Sequence, residues 1–484
     1  MQLSELKKIE WDRYAVRQFN FFYFSAILEG YKYYTNFVNK NFDCTMVKYT
    51  PLDRVYFRNK KKRIEIEEFI ERNVKKLSFA KKFAEKVEKQ SNKAIKENRV
   101  FHNKEISAYS NKKLIKEFKK LMKTNCVWVG GISANIMLIT KVSDFIQNKI
   151  ILPKLKKKKR QKDLNETMGT ISFPKKLYYK QEELDLIKVA EEKNQKKFNK
   201  LLSEHAKKYS IIHYFNTCRL IERKDFLKRI KTLRKNGLQK EKKRILNFLE
   251  GKEKEIKEIC KDLGLSQKET EFIELLRKIL FLRVQEEYIL TSIEFTFDKV
   301  FRETVKRFPL SLNQLKFFIL PELYDLYEGK KVDLVSVNKR NEFVLLIFSK
   351  GKQFVFTDEK AKKAFKVAVK EISPEKFTGI LKGTSATKGK AKGKARIVFH
   401  ISHITGFKKG RILVAPNTNP AYVPAMKKAS AIITDEGGVT CHAAIVSREL
   451  GVPCVIGTKF ATSLLKNNDL LYVNATEGII KRMK

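Results

Sequence analysis

Hydrophobic residues recur at helical spacing through most of the first three quarters of the chain. In the first 150 residues, Glu5–Tyr34 is rich in aromatic residues, Lys60–Asn98 is highly charged and Asn111–Thr124 is amphipathic. This periodicity predicts a helical domain over residues 1–150. The segment Trp128–Ser133 interrupts the pattern with a glycine pair, and we interpret it as an ordinary turn because it lacks the spacing of a phosphate-binding loop.

A second helical region follows a basic boundary. The cluster Lys154–Lys162 and the stretch Thr167–Pro174 mark this boundary, which we interpret as a solvated basic linker over residues 151–180. From Gln181 to Arg307, apolar residues again lie at helical spacing on charged segments. These apolar residues are Ile212, Phe215, Leu220, Phe226, Ile230 and Leu233. The pattern predicts a helical scaffold with a short β-rich end over residues 181–370.

The pattern changes near the end of the chain, where short apolar runs alternate with glycines. Ala431–Ile433 and Cys454–Ile456 have the composition of buried strands, and Ala443–Leu450 has that of a helix. Gly451, which is followed by Val452 and Pro453, predicts the end of this helix. We therefore expect a strand, a turn, a helix and a second strand in this order.

His442 is the candidate catalytic residue because it falls in the first turn of that helix. Gly437 and Gly438 supply the preceding turn, and Thr440 is the expected N-cap. Unpaired N–H groups and the positive dipole end at a helix N-terminus stabilise an anionic phosphoryl group and favour a neutral imidazole. A neutral imidazole is a competent nucleophile towards phosphorus. The glycines leave room for a phosphate donor, and the Thr440 hydroxyl could donate a hydrogen bond to the phosphoryl oxygens.

The segment Thr434–Pro453, with the sequence TDEGGVTCHAAIVSRELGVP, resembles the mobile phosphohistidine domain of the phosphoenolpyruvate-utilising enzymes. That family includes phosphoenolpyruvate synthase, pyruvate phosphate dikinase and rifampicin phosphotransferase. The resemblance extends upstream through Gly383–Val398, Gly410–Ala415 and Thr418–Pro420. It covers the last fifth of the chain.

The resemblance implies a swivelling β/β/α domain over residues 371–484, whose histidine receives a phosphoryl group at one site and delivers it at another. By position, His442 matches the phosphorylated histidine. The positions that match its supporting residues are Thr440, Gly437, Gly438 and Arg448. Asn474 stands where the family usually has an aspartate, and we expect this substitution to affect the fold locally and leave the chemistry intact.

A weaker resemblance concerns the connection to this domain. The segments Phe317–Lys330 and Val332–Glu342 are similar to the linker that precedes the phosphohistidine domain in the rifampicin phosphotransferase branch. It implies that Arg277–Glu342 is the scaffold on which the domain swivels. The low-complexity stretch Glu371–Lys394 would then contain the hinge.

The donor of the phosphoryl group is not evident in residues 1–370. This region lacks the alternating β-rich pattern that an ATP-grasp domain or a phosphoenolpyruvate-binding barrel requires. We therefore expect either a separately encoded ATP-grasp or phosphoenolpyruvate-binding protein as a partner, or an unusual substrate platform in the helical region. Mg²⁺ with ATP or phosphoenolpyruvate is expected at the donor site, and the acceptor is expected to be a small molecule. No metal site is predicted within the chain, because His400 and His403 lack a third ligand.

Composition leaves a second class of function open. Of the 484 residues, 103 are Lys or Arg and 54 are Asp or Glu, and the net charge is +49. Such a field attracts polyanions, so the alternative is a non-catalytic basic protein that retains the fold and binds nucleic acid or another polyanion. Dispersed lysine is equally well explained by a general compositional bias. Arg277 and Arg283 could likewise grip phosphate or form ion pairs on a helix surface.

The remaining composition fits a multidomain α+β protein in the cytoplasm. With 43% hydrophobic residues the chain can bury the cores of two or three domains. The six cysteines are scattered, which is typical of reduced thiols. The apolar run Phe21–Leu28 is too short to span a membrane, so no membrane association is expected. The fold class we predict is a largely α-helical N-terminal region followed by a C-terminal swivelling β/β/α phosphohistidine domain.

Overall fold

The computed structural model describes residues 2–16, 21–38, 45–50, 54–174, 177–211, 221–368, 377–399, 401–404, 406–418, 422–438 and 441–483. Its helices are α1 (Leu3–Lys7), α2 (Phe21–Gly30), α3 (Thr35–Val38), α4 (Lys60–Val74), α5 (Leu77–His102), α6 (Asn111–Phe145), α7 (Leu152–Lys157), α8 (Leu164–Ile171), α9 (Tyr178–Glu191), α10 (Gln195–Tyr209), α11 (Arg223–Asn236), α12 (Leu238–Asp262), α13 (Gln267–Arg307), α14 (Leu312–Leu315), α15 (Leu320–Tyr327), α16 (Leu334–Asn338), α17 (Asp358–Ala368), α18 (Val423–Met426), α19 (His442–Leu450) and α20 (Ala461–Leu464). Its strands are β1 (Trp11–Val16), β2 (Thr45–Tyr49), β3 (Arg54–Asn59), β4 (Val344–Ser349), β5 (Lys352–Thr357), β6 (Ile380–Lys382), β7 (Thr384–Thr387), β8 (Lys390–Ile397), β9 (Ile412–Ala415), β10 (Ala431–Thr434), β11 (Cys454–Ile456), β12 (Leu470–Asn474) and β13 (Ile479–Arg482).

Three long helices, α5, α6 and α13, pack on one another at the centre of the N-terminal region. Their apolar faces share one large core, in which Trp128, Phe118 and Phe297 are buried. Each helix keeps charged residues on its outer face, as the helical periodicity predicts. The predicted fold class, a helical N-terminal region followed by a C-terminal domain built on a sheet, is confirmed.

The segment Trp128–Ser133 is not a turn, so that prediction is wrong. It lies inside α6, which runs unbroken from Asn111 to Phe145. A Cβ atom on Gly130 would lie 3.0 Å from the Gly30 carbonyl oxygen, and one on Gly131 would lie 2.6 Å from the Phe37 ring. The two glycines therefore let α2 and the chain that follows it approach the α6 backbone closely.

The helical stretch Asn111–Lys157 is long and apolar enough, by length and composition alone, to cross a membrane. In this structure, however, 72% of its most apolar window is buried inside the protein. Packing in the helical core thus accounts for its apolar composition.

A five-stranded antiparallel sheet joins distant parts of the chain in the order β1-β3-β2-β4-β5. Strand β2 pairs with β4 through Met46 and Ile347, which are 301 positions apart in the sequence. Strand β1 lies within Glu5–Tyr34, which the local pattern predicted as helical. The prediction is wrong there because pairing with a remote strand outweighs local preference. This sheet contains residues from both ranges predicted as separate domains, 1–150 and 181–370.

The basic boundary is largely helical and partly ion-paired. Helices α7 and α8 cover much of residues 151–180, and Lys158 and Arg160 both contact Asp262 at 3.0 Å and 2.8 Å. In the following region Phe226 and Ile230 are buried and Leu233 packs beside them, whereas Ile212, Phe215 and Leu220 lie outside the described residues.

Arg277 and Arg283 are engaged in ion pairs. The Arg277 side chain is 1% exposed; its Nη1 atom lies 2.6 Å from Glu274, and its Nη2 atom contacts Glu253. Its Nε–H donates to the Phe173 carbonyl oxygen at 3.0 Å. Arg283 pairs with Glu286. Of the two readings of these arginines, ion pairing is the one that the contacts support.

The C-terminal region is built on an eight-stranded sheet in the order β6-β13-β12-β8-β9-β10-β11-β7. Strands β8, β9, β10 and β11 are parallel neighbours, and the remaining pairs are antiparallel. The predicted strands and the helix α19 between them are confirmed, and Gly451 ends that helix with φ +65°. Within the predicted hinge segment, residues 380–382, 384–387 and 390–394 form strands, and residues 371–376 lie outside the described part of the chain.

Candidate functional site

His442 is the first residue of α19, which follows β10 through the glycine turn. Cys441 occupies the N-cap position with extended backbone, φ −74° and ψ 163°. The prediction of Thr440 as the N-cap is therefore wrong, and Thr440 itself lies outside the described residues. The Cys441 N–H donates to the Gly438 carbonyl oxygen at 2.9 Å immediately before the helix.

The His442 ring is held by a hydroxyl group. Thr418 Oγ1 lies 2.8 Å from His442 Nδ1, which leaves Nε2 as the nitrogen without this contact. Burial lowers the pKa of His442 from 6.5 to about 4, so the imidazole is neutral at physiological pH. The predicted combination of a helix N-terminus and a neutral imidazole is thus present in the structure.

Thr418 was recognised in the sequence only as part of the upstream resemblance, without a role. Strands β9 and β10 are parallel neighbours, and Thr418 and the glycine turn follow their respective carboxyl ends. Because the carboxyl ends of parallel strands meet at one edge of a sheet, the two loops converge there. That topological signal was available, but it required knowing which strands are neighbours.

Gly437 and Gly438 are adjacent but have different roles. Gly437 has φ +115°, and a Cβ atom there would lie 2.6 Å from the Cys441 Sγ atom. Gly438 has no atom within 4 Å of the corresponding Cβ position among the described residues. Gly437 is therefore required by the backbone geometry, whereas Gly438 leaves open space beside the turn.

Asp435 fixes the start of the same loop and was missed in the sequence. Its carboxylate, 5% exposed, accepts hydrogen bonds from the Thr462 N–H at 3.1 Å and the Thr458 hydroxyl at 3.2 Å. The Thr462 hydroxyl also donates to it. A buried carboxylate with several donors is a strong positional constraint, so the loop leaves β10 in a defined direction.

Arg448 lies at the opposite end of α19 from His442, about 9 Å further along the helix axis. Its Nε–H donates to the Ala386 carbonyl oxygen at 3.3 Å, and burial lowers the pKa of its guanidinium. The guanidinium also faces α8, where a Cβ atom on Gly169 would lie 3.1 Å from Nη1. The structure thus brings His442, Gly437 and Gly438 together and places Arg448 where the C-terminal region meets the helical region.

Asn474, the departure from the family pattern, has a local role. Its Oδ1 atom accepts a hydrogen bond from the Glu477 N–H at 3.4 Å in the turn between β12 and β13. The amide therefore closes this turn as an aspartate oxygen would.

The C-terminal region of the chain is similar to parts of known proteins. Residues 407–478 match the mobile domain of PEP-utilising enzymes. A probable phosphoenolpyruvate synthase of Archaeoglobus fulgidus is 42% identical over 165 residues, which cover 34% of this chain and 21% of that protein. The phosphoenolpyruvate synthase of Pyrococcus furiosus is 54% identical over 101 residues, or 21% of this chain and 12% of that protein. In Helicobacter pylori, phosphoenolpyruvate synthase is 41% identical over 151 residues, or 31% of this chain and 18% of that protein.

The similarity covers a limited part of each relative. The chain spans about a fifth or less of the length of these curated relatives. A chain in the crystal structure of Thermococcus kodakaraensis aconitase X aligns with 22% of this chain at 20% identity and a TM-score of 0.18, which supports no statement about function. Together, the matched residues and the relatives show that the C-terminal region of this chain is similar to the mobile domain of the PEP-utilising enzymes.

Proposed function

We propose that this protein is a phosphotransferase component that carries a phosphoryl group on His442 between a donor and an acceptor. The observation that carries the proposal is the pairing of Thr418 with His442 Nδ1 at the first residue of α19. With hydrogen on Nδ1 and the Thr418 oxygen as its acceptor, the lone pair of Nε2 is available for attack on phosphorus.

Both phosphoryl transfers take place at the same nitrogen atom, His442 Nε2. In the first, a bond forms between Nε2 and the donor phosphorus, and the phosphorus–oxygen bond of the donor breaks with its electrons leaving on the donor oxygen. In the second, an acceptor oxygen forms a bond to phosphorus and the nitrogen–phosphorus bond breaks, which returns the lone pair to Nε2. The ring carries positive charge between the two steps, and the hydrogen bond from Nδ1 to Thr418 then strengthens because its donor is charged.

We propose that the donor and its metal occupy a site separate from His442. Among the described residues, no group of three or more His, Cys, Asp or Glu side chains is arranged to hold a metal ion. We propose that Mg²⁺ with ATP or phosphoenolpyruvate acts on the donor side, where it would neutralise phosphate charge. A separately encoded ATP-grasp or phosphoenolpyruvate-binding protein in the cytoplasm is the proposed donor, and a small molecule with a hydroxyl or carboxylate oxygen is the proposed acceptor.

The test is labelling of the purified chain with radioactive ATP or phosphoenolpyruvate in the presence of Mg²⁺. Wild type and the control His403→Ala, which changes an exposed histidine, should acquire acid-labile label, and His442→Ala should not. If neither donor labels wild type, the same three proteins are labelled after addition of an ATP-grasp domain from a phosphoenolpyruvate synthase. Label that persists in His442→Ala, or its absence from wild type in both formats, would contradict the proposal.

A further inference from the structure

One half of the C-terminal sheet, strands β6, β13, β12 and β8, has two unlike faces. One face is apolar and buried in a core that includes Leu381, Leu471 and Ile480. The side chains of the other face are exposed or half-buried in the part of the chain that the structure describes. We call it the basic sheet face, and it consists of Lys382, Lys390, Lys392, Lys394, Lys481, Tyr472 and Ile380.

Strand register places these side chains together. Lys392 pairs with Tyr472, Tyr472 pairs with Lys481, and Lys481 pairs with Ile380, so the four form one row across the sheet. Directly paired residues of antiparallel strands point to the same face. Along β8, Lys390, Lys392 and Lys394 alternate with Ala391 and Gly393, which sets the lysines about 7 Å apart.

The charge of this face is uncompensated. None of the strands β6, β8, β12 and β13 contains an acidic residue. Among the described residues, no ion pair joins any of the five lysines to a carboxylate, and all five are exposed. Some lysines of the helical region are ion-paired, such as Lys141 with Glu71 at 2.8 Å and Lys278 with Glu88 at 2.8 Å. What distinguishes the basic sheet face is that four neighbouring strands without an acidic residue place its lysines side by side.

The apolar residues of the face indicate the kind of anion. Tyr472 is half-buried between two lysines, and Ile380 is 47% exposed at the edge of the sheet. An aromatic ring on a flat, positively charged surface offers a stacking position for a base while the lysines contact phosphates. An acidic protein surface would use the charge but not the ring.

We infer that the basic sheet face binds single-stranded nucleic acid, independently of phosphoryl transfer at His442. Binding would be insensitive to base sequence, because lysines recognise phosphates and Tyr472 stacks on any base. The mobile domain would thus contain two separate functional surfaces.

The first experiment measures binding of a fluorescent single-stranded oligouridylate to the full chain by anisotropy at several salt concentrations. The triple variant Lys390→Gln, Lys392→Gln, Lys394→Gln should bind more weakly, and its slope of log affinity against log salt should be shallower by about 2. The matched control is Lys408→Gln, Lys409→Gln, Lys428→Gln, which removes the same charge from exposed lysines elsewhere in the domain. Equal losses in the two triple variants would overturn the inference, because binding would then follow net charge alone.

A second variant separates nucleic acid from an acidic protein as the ligand. Tyr472→Leu retains an apolar side chain but removes the ring, and it should weaken oligouridylate binding at least about fivefold at constant salt slope. Polyglutamate should compete poorly. If Tyr472→Leu binds as wild type and polyglutamate competes as well as unlabelled oligonucleotide, the face is a site for acidic protein and the inference is wrong. His442→Ala should bind the oligouridylate as tightly as wild type. A failure of the nucleic-acid inference can therefore be distinguished from a failure of the phosphotransfer proposal.

Discussion

At the scale of single residues, the site depends on how one imidazole is held. The hydroxyl of Thr418 contacts Nδ1, and burial keeps the ring neutral. The sequence was sufficient to predict His442 as the candidate residue, because the residues around it form a contiguous motif, and its catalytic role stays a prediction. It was not sufficient to identify the roles of Thr418 and Asp435, whose partners are 24 and 27 positions away and become neighbours only in the folded sheet.

Replacement of Thr418 tests the orientation of the imidazole. Thr418→Val has a similar shape but no hydroxyl, so Nδ1 loses its partner, and phosphoryl incorporation should slow about fivefold to tenfold, equivalent to the ~1–1.4 kcal/mol of one hydrogen bond. Thr418→Ser retains the hydroxyl and should remain within about threefold of wild type. The measurement is the initial rate of acid-labile incorporation. Equal rates for the valine and serine variants would exclude a role for the hydroxyl.

The protonation of His442 gives a pH prediction. Its pKa is lowered from 6.5 to about 4, so NMR titration should show a neutral ring from pH 8 down to about 5. Below about pH 6.5 the unfolded chain takes up a proton that the folded chain resists, and stability should decrease as the pH falls from 6.5 to 4. In denaturant titrations, the free energy of unfolding of His442→Gln should decrease less over this pH range than that of wild type. Part of the decrease should remain, because burial also lowers the pKa of His102 to about 4. A titration midpoint of His442 near 6.5 would contradict the prediction.

At the scale of secondary-structure elements, local signals predicted the C-terminal region well and the N-terminal sheet poorly. Strands β10 and β11 and helix α19 are bounded by glycines and apolar runs that are close in sequence. Strands β1, β2 and β3 are completed by β4 and β5, almost 300 residues later, and no local pattern reveals such pairing. Within α6 a helical segment was predicted as a turn, because a glycine pair that allows close helix packing gives the same sequence signal as a turn.

The glycine turn before α19 offers a matched pair of substitutions. Gly437→Ala introduces a Cβ that collides with Cys441 at a backbone φ of +115°, and it should destabilise the protein by about 1–3 kcal/mol and reduce labelling of His442. Gly438→Ala meets no described atom within 4 Å and should change stability by less than about 0.5 kcal/mol. Denaturant unfolding of both variants provides the comparison. Similar free energies of unfolding would mean that the strained turn is not specific to Gly437.

Helical glycines give a second comparison. Gly131→Ala in α6 would place a Cβ 2.6 Å from the Phe37 ring, so thermal stability should fall despite the better helix propensity of alanine. Gly251→Ala in α12 meets no described atom within 4 Å and should stabilise the protein by about 1 kcal/mol. Thermal unfolding should therefore shift in opposite directions for the two variants, and a stabilising Gly131→Ala would show that the close approach of Phe37 is not rigid.

At the scale of the whole molecule, the C-terminal region rests against the helical region through Arg448. Its guanidinium lies directly over Gly169 in α8, while its Nε–H remains bonded to Ala386 in its own domain. If the mobile domain swivels as proposed, this contact must break during the movement. The residue that the sequence suggested as a support for the phosphoryl group is placed by the structure at the boundary between the two regions.

A charge-reversal pair at Gly169 tests this contact. Gly169→Lys should repel Arg448 and separate the regions, whereas Gly169→Glu, of similar length, should pair with the guanidinium and keep them together. Small-angle X-ray scattering should give a larger radius of gyration for the lysine variant. An identical radius for both variants would show that Arg448 does not control the arrangement.

If His442 carries a phosphoryl group as proposed, the anchoring of β4 and β5 in the N-terminal sheet limits how far that group can travel. Helix α17, which packs on these strands, ends at Ala368, and β6 begins at Ile380. The eleven residues between them can span at most about 40 Å when fully extended. A tether of this length confines His442 to a small volume, where its effective concentration is on the order of millimolar. A partner that docks on the helical region would therefore meet the histidine as an almost intramolecular reactant, even if it binds the free mobile domain weakly.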